Sequence, residues 1–374
     1  MKDQVELLRW VNRNIASFGG NPDDVTISGC SAGGGSVDLL SLSPMTTGLF
    51  KKVITNSGAS LGTVGAQMDP LQNAKDYAQA LNFTNVDDID ALEEFYKTAS
   101  IETFLQFPVS FDSATAMSFG PCIEADNGSD EERFLPDSPW SIIRNRNYTA
   151  LPILYGFTDY ESSLYTPEFD SISAMMNSDF SNYLPFDLQF ESEQQRQEVA
   201  SAVKQFYFGE NPIDFDNLQN YLNYFTELTF AYPILRTINH RRESNNDPIY
   251  LFKYLFVDDN TPFILNSTIR GAEHCAQEFI VADHDITNAT PEHLMMRDLM
   301  REVYFSFIIT GQPSAPGLPD WAPVTGKWSP HMSLDKESML LQTSPMDNRA
   351  DMWDDLFSKY PRHPVPPGIN CIFH

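Results

Sequence analysis

Residues 25–42 constrain the fold more than any other stretch of this chain. Val25-Thr26-Ile27-Ser28 reads as a short apolar strand, rich in β-branched residues. Gly29-Cys30-Ser31-Ala32-Gly33-Gly34-Gly35 follows, and Val37 to Leu42 resumes with helical character. A strand, a tight glycine-rich turn and a helix in immediate succession are the setting of the Gly-x-Ser-x-Gly nucleophile elbow. The tightness of such a turn predicts that a side chain at Gly29 or Gly33 would clash. It also predicts a Ser31 hydroxyl pushed out at a helix N-terminus, where the helix dipole favours developing negative charge. Three fixed positions in five recur by accident, and the flanking strand and helix remove most of those accidents.

The rest of the chain alternates strand and helix patterns. Val5, Leu8, Val11, Ile15 and Phe18 share one face of an N-terminal helix, with Asp3 as the expected N-cap and Gly19-Gly20 as its stop. Val53-Ile54, Pro152 to Gly156 and Ile249 to Phe256 read as buried strands, the first running into Asn56-Ser57-Gly58. Helical periodicity covers 69–105, much of 171–242, and 292–310. Pro361-Arg362-His363-Pro364 reads as a loose tail. No repeat or linker divides the chain, so one α/β domain over 1–374 is expected, with a mainly parallel sheet.

With 24 basic against 51 acidic residues, the formal net charge is −27. That balance opposes binding to nucleic acid or to an anionic membrane surface, both of which demand clustered Lys and Arg. It suits an acidic solvated surface and is compatible with steering cations. Hydrophobic residues at 42% suffice for a large core. No apolar run approaches the roughly 18 residues that span a bilayer. Cys30, Cys122, Cys275 and Cys371 show no paired metal-ligand spacing, which argues against structural zinc. Five Asn-x-Ser/Thr sequons, at Asn82, Asn127, Asn147, Asn266 and Asn288, are candidate glycosylation sites and point outward from the cell. The opening Met1-Lys2-Asp3-Gln4-Val5-Glu6 points the other way, having no signal-peptide character.

A serine hydroxyl needs a histidine to take its proton, and the histidine needs an acid to fix its tautomer. His274, in Gly271-Ala272-Glu273-His274, lies on a small-residue loop suited to a base. His284, between Asp283 and Asp285, competes, although its acidic flanks suit a solvated loop. Gly156-Phe157-Thr158-Asp159-Tyr160-Glu161-Ser162 follows a buried strand and offers two carboxylates, Asp159 and Glu161, between which pattern alone does not choose. The order serine, acid, histidine is that of α/β-hydrolases.

These segments together resemble the type-B carboxylesterase, or cholinesterase-like, family over essentially the whole chain. The resemblance runs through Lys2-Asp3-Gln4, Trp10-Val11-Asn12, Phe18-Gly19-Gly20-Asn21-Pro22, Ser31-Ala32-Gly33-Gly34 and Asn56-Ser57-Gly58. It continues in Gly120 to Glu124, Leu135 to Pro139, Gly156 to Ser162, and Gly271 to His274 with Glu278-Phe279. It ends in Gly311-Gln312-Pro313, Trp321 to Val324 and Arg349 to Trp353. It implies an α/β-hydrolase fold, a mostly parallel central sheet flanked by helices, and a serine ester hydrolase working through an acyl-enzyme. Ser31 would be the nucleophile, His274 the base, Glu161 the triad acid and Ala32 N–H an oxyanion donor. The implied partner is a small-molecule ester, with no metal or organic cofactor. The implied location is extracellular or in the secretory lumen.

Two departures stand out. The family usually has Glu where Cys30 stands, and Gly or another small residue where Cys275 stands. The two thiols are read as small packing residues, with a reversible disulfide between them as the alternative. Family members also begin further upstream, with extra strands and a glycine-rich loop that supplies two oxyanion donors; neither Gly19-Gly20 nor Gly33-Gly34-Gly35 can be that loop. The expectation is therefore a partial domain lacking the family's N-terminal strands, with an unpaired apolar edge at Val25 to Ser28. Such a chain would be nearly inactive and poorly soluble. The competing functional reading is a catalytically impaired product or a non-catalytic adhesion-type module, against which stands the presence of all three triad residues.

Overall fold

The computed structural model describes residues 1–105, 119–126, 128, 132–244, 247–283, 287, 289–336, 339–346 and 348–366. Among the described residues, six strands form one sheet in the order β1 (Thr26–Cys30), β2 (Lys52–Asn56), β3 (Ile153–Thr158), β4 (Ile249–Tyr254), β5 (His331–Leu334) and β6 (Met339–Gln342). The first five pair in parallel and β6 closes as an antiparallel hairpin on β5. Parallel neighbours need crossovers, and the intervening helices provide them.

Strand residues alternate between two apolar layers. Val53, Ile153, Tyr155, Phe157, Ile249 and Leu251 enter one core, and Ile54, Leu154, Tyr250, Phe252 and Tyr254 the other. A sheet covered on both faces explains why β2, β3 and β4 read as nearly continuous apolar runs. The mostly parallel sheet flanked by helices is the expected α/β-hydrolase architecture.

Details at the N-terminal edge differ from the sequence expectation. Helix α1 (Lys2–Asn14) has Met1 as its N-cap without a side-chain cap bond, so Asp3 lies in the first turn rather than at the cap. There its charge still complements the helix dipole. Of the expected apolar face only Val5 and Leu8 are buried, and Phe18 is 73% exposed beside Trp10. The α-helical spacing fails at that end because Ile15–Phe18 tightens to a 3₁₀ turn. Gly19 ends the turn in the left-handed region at φ 84°, as expected. Strand β1 is the outer strand among the described residues, but its edge is not a uniform apolar row: Ile27 is buried and Ser28 exposed.

The described part of the C-terminal tail is pinned rather than loose. Arg362 N–H donates to the Asp187 carbonyl at 3.0 Å, and Val365 N–H to the Met68 carbonyl at 3.1 Å. His363 stacks on Trp140 with ring centroids 4.4 Å apart. Proline-rich composition suggests freedom; long-range backbone bonds remove it. No described helix is long and apolar enough to cross a membrane.

Candidate active site

Ser31 sits between β1 and helix α2 (Ala32–Leu42) at φ 60° and ψ −124°, a strained conformation for a residue with a side chain. Its N–H donates to the Asn56 carbonyl at 3.0 Å, and its own carbonyl accepts from Gly35 N–H at 3.0 Å. A Cβ on Gly29 would lie 2.3 Å from the Gly33 carbonyl oxygen, so that glycine is required. Gly33 is different: a Cβ there meets nothing within 4 Å, which overturns the expectation that both motif glycines relieve a clash. The glycines that let the next loop approach are Gly34, against the Asn56 carbonyl, and Gly58, whose Cβ would lie 2.3 Å from the Ser31 carbonyl oxygen.

Helix α2 is fixed from below by a buried carboxylate. Asp38 accepts from Tyr155 Oη at 2.8 Å, Arg241 Nη2 at 2.7 Å and Ser60 N–H at 2.6 Å. Arg241 is itself buried on the helix Tyr232–Ser244. The elbow is thereby tied to β3 and to a helix some 200 residues further along the chain. The N–H of Ala32 opens α2 and has no intrahelical acceptor.

Of the two carboxylates that follow β3, Glu161 is the one that meets the histidine. Its Oε2 lies 2.5 Å from His274 Nδ1. Its other oxygen, Oε1, accepts from Ser57 Oγ at 2.7 Å and from Thr158 N–H at 2.8 Å. Gln277 Nε2 in turn donates to Ser57 Oγ at 2.8 Å. Glu161, Ser57 and Gln277 are fully buried, so each bond acts in a low-dielectric setting. Asp159 faces elsewhere, and its Oδ1 accepts from Ala272 N–H at 2.9 Å, anchoring the histidine loop. Burial pushes the Asp159 carboxyl up to about 7, against the pull of that bond and of Lys253.

The histidine loop docks on the acid loop along its length. Tyr160 N–H donates to the Ala272 carbonyl, and His274 N–H to Ser163 Oγ at 3.1 Å. Gly271 is obligatory here, because a Cβ would fall inside the Tyr160 ring. A turn of π-helix, Glu227–Ala231, carries Phe230 against the His274 ring at 4.4 Å. His274 Nε2 is buried and has no protein hydrogen-bond partner. Further out, Glu278 accepts from Asn56 Nδ2 at 2.8 Å, and burial raises its carboxyl.

The reading of Cys30 and Cys275 as separate packing thiols is corrected: the two form a disulfide, with Cα atoms 6.0 Å apart. The elbow and the histidine loop converge at that point, bringing together residues 245 apart in sequence. Cys122 is a free thiol, and Cys371 lies outside the described residues. So does His284, the competing base, while its neighbour Asp283 pairs with Arg297 and Arg301. Among the sequons, Asn82, Asn147 and Asn266 are exposed, whereas Asn127 and Asn288 lie outside the described residues. The described residues contain no cluster of three or more His, Cys, Asp or Glu able to hold a metal.

Sequence reasoning misses the roles of Ser57, Gln277 and Asp38. The Asn56-Ser57-Gly58 segment is visible as a pattern after β2, yet its contact with Glu161 spans 104 residues.

A parallel sheet with a strained serine at the β1–α2 turn, and an acid–histidine pair on loops beyond β3 and β4, defines an α/β-hydrolase. The carboxylesterase family model matches residues 1–353, and the chain belongs to that family. Esterase FE4 of Myzus persicae is 26% identical over 343 residues, covering 87% of this chain and 59% of that protein. Venom carboxylesterase-6 of Apis mellifera is 29% identical over 327 residues, covering 84% and 58% respectively. The chain thus spans about three fifths of the length of these curated relatives. A crystal structure of juvenile hormone esterase from Manduca sexta, with OTFP covalently attached, superposes with a TM-score of 0.80. It is 23% identical, with 95% of this chain and 69% of that chain covered.

Proposed function

We propose that this protein hydrolyses carboxylic esters of small molecules through an acyl-enzyme on Ser31. The observation that carries the reading is the buried Glu161 Oε2 at 2.5 Å from His274 Nδ1, on the loop bonded to the elbow. With Nδ1–H directed to a carboxylate, the neutral ring presents Nε2 as the base.

In the reaction, Ser31 Oγ attacks the acyl carbon while His274 Nε2 takes its proton. Glu161 does not need to accept that proton; it orients the ring and stabilises the imidazolium that forms. Ser57 Oγ and Thr158 N–H hold the far carboxylate oxygen, so the near one keeps its aim. The carbonyl oxygen, becoming anionic, is met by Ala32 N–H at the positive end of α2. Collapse expels the alcohol, protonated by His274, and a water activated by the same nitrogen then releases the acid. Breaking and making these bonds requires no cofactor.

The exposed sequons and the disulfide suit an oxidising secretory compartment, and we place the protein there.

The experiment is pre-steady-state hydrolysis of p-nitrophenyl butyrate by the protein expressed from its full transcript. A p-nitrophenol burst stoichiometric with protein, lost in Ser31→Ala, is the expected result. Absence of hydrolysis across short- and medium-chain esters would instead favour a non-catalytic member of the family.

A further inference from the structure

The disulfide occupies an unusual place: Cys30 immediately precedes Ser31, and Cys275 immediately follows His274. We propose that the Cys30–Cys275 cross-link is the positioning element that sets the elbow serine against the histidine, so that turnover depends on the oxidised pair. The inference rests on the esterase reading above.

The non-covalent ties of the two loops explain why such a link matters. The histidine loop is bonded to the acid loop, through Asp159 with Ala272, Tyr160 with Ala272 and Ser163 with His274. The elbow is bonded to the loop after β2, through Asn56, and to the core beneath α2 through Asp38. These networks fix the base to its acid, and the nucleophile to its own scaffold. The route between them by hydrogen bonds is indirect, through Asn56 to Glu278 and through Gln277 and Ser57 to Glu161. The disulfide spans the gap directly.

The backbone at Cys275 supports the same conclusion. It is held at φ 66° and ψ 10°, in the left-handed region that favours glycine, and it is nearly fully buried. A side chain is kept there against backbone preference, and its sulfur is bonded to the residue next to the nucleophile. Mere space filling would not require that partner.

Reduction by a small dithiol such as dithiothreitol is the probe. One dithiol thiolate attacks a sulfur of the pair and expels the other as a thiolate. The second dithiol thiol then resolves the mixed disulfide, leaving two cysteine thiols and one cyclic dithiol disulfide. Cys30 is the more exposed of the two residues.

The test uses the full protein at a temperature where circular dichroism and size exclusion show the reduced form folded and monodisperse. Reduction should lower kcat about 10- to 100-fold, the cost of displacing reacting groups by about 1 Å. KM should stay within about twofold, because substrate binding is not what the link sets. Reoxidation should restore the rate. A Cys30→Ser/Cys275→Gly variant relieves the left-handed strain while removing the link. It should show the reduced rate and no response to dithiol. Fluorophosphonate labelling of Ser31 separates the two readings. Labelling that is fast when oxidised and slow when reduced supports the positioning role. Equal labelling in both states, or a variant as active as the oxidised parent, overturns it while leaving the esterase reading intact. No labelling in either state overturns the esterase reading itself.

Discussion

The proposed acid–base half of the site and the proposed nucleophile half are held by different means. Glu161 and His274 lie in a largely buried web whose other members come from separate parts of the chain: Ser57 after β2, Thr158 at the end of β3, Ser163 beside the acid and Gln277 in the helix Ala276–Val281. Ser31 is only half-buried, and it is fixed by backbone: a short turn, the close approach of Gly29 to Gly33, and two main-chain hydrogen bonds. The first half is preorganised electrostatically, where removing one charged partner changes the protonation and tautomer of the others. The second is preorganised sterically, where adding an atom matters more than removing a bond. Substitutions should therefore fail for opposite reasons in the two halves.

Among variants expected to fold, the largest effect lies in the web. Glu161→Gln should lower kcat for p-nitrophenyl butyrate by about 10³- to 10⁴-fold, since the amide cannot stabilise the imidazolium. Asp159→Asn should cost little, because an amide oxygen can still accept the Ala272 N–H. Equal losses at the two positions would break the distinction between the acid that faces the base and the acid that anchors its loop.

Ser57→Ala comes next. Removing the hydroxyl leaves Glu161 Oε1 with one donor fewer in a buried site, and a loss of about tenfold in kcat is expected. A change confined to KM would mean that Ser57 acts on substrate binding instead.

At the elbow the comparison is steric. Gly29→Ala forces a methyl against the Gly33 carbonyl and should abolish folded protein or activity, whereas Gly33→Ala has open space and should stay within about threefold. Inactive Gly33→Ala of normal stability would show that the motif's last glycine serves a purpose other than relieving a contact.

Smaller still are the pH effects on stability, and their signs differ. Asp159, raised to about 7, keeps a proton in the folded state that the unfolded chain releases near pH 4. Its contribution is therefore present below about pH 4 and lost as pH rises to 7, so Asp159→Asn should gain melting temperature relative to the parent between pH 5 and pH 8. His331 and His240 behave oppositely. Burial lowers both to about 4, so stability present above pH 6.5 is lost as pH falls toward 4. Melting curves from pH 4 to 8 check both signs.

The same contrast explains what can be read from sequence. The nucleophile half is contiguous, and residues 25–42 display its strand, turn and helix together. The acid–base half is assembled across contacts of 100 residues and more. Its acid stays a choice between two neighbours until family resemblance points to Glu161, and Ser57 and Gln277 carry no signal of their roles. The Cys30–Cys275 bond is illegible for the same reason: nothing local distinguishes a paired cysteine from a packed one. Strands β2 to β4 are legible because both of their faces are buried, while the β5–β6 hairpin is short and only half covered at β6, so its pattern is faint. Gly33 shows the converse error, a local rule applied where the fold leaves room.

The most direct test of the central claim is where a covalent ester-hydrolase probe lands. The full protein is treated with a fluorophosphonate, digested and mapped by mass spectrometry. A single stoichiometric adduct on Ser31, with its formation slowed by Glu161→Gln and abolished by Ser31→Ala, is the predicted result. An adduct on another residue, or undiminished labelling in Ser31→Ala, would contradict the assignment of Ser31 as the nucleophile served by His274 and Glu161.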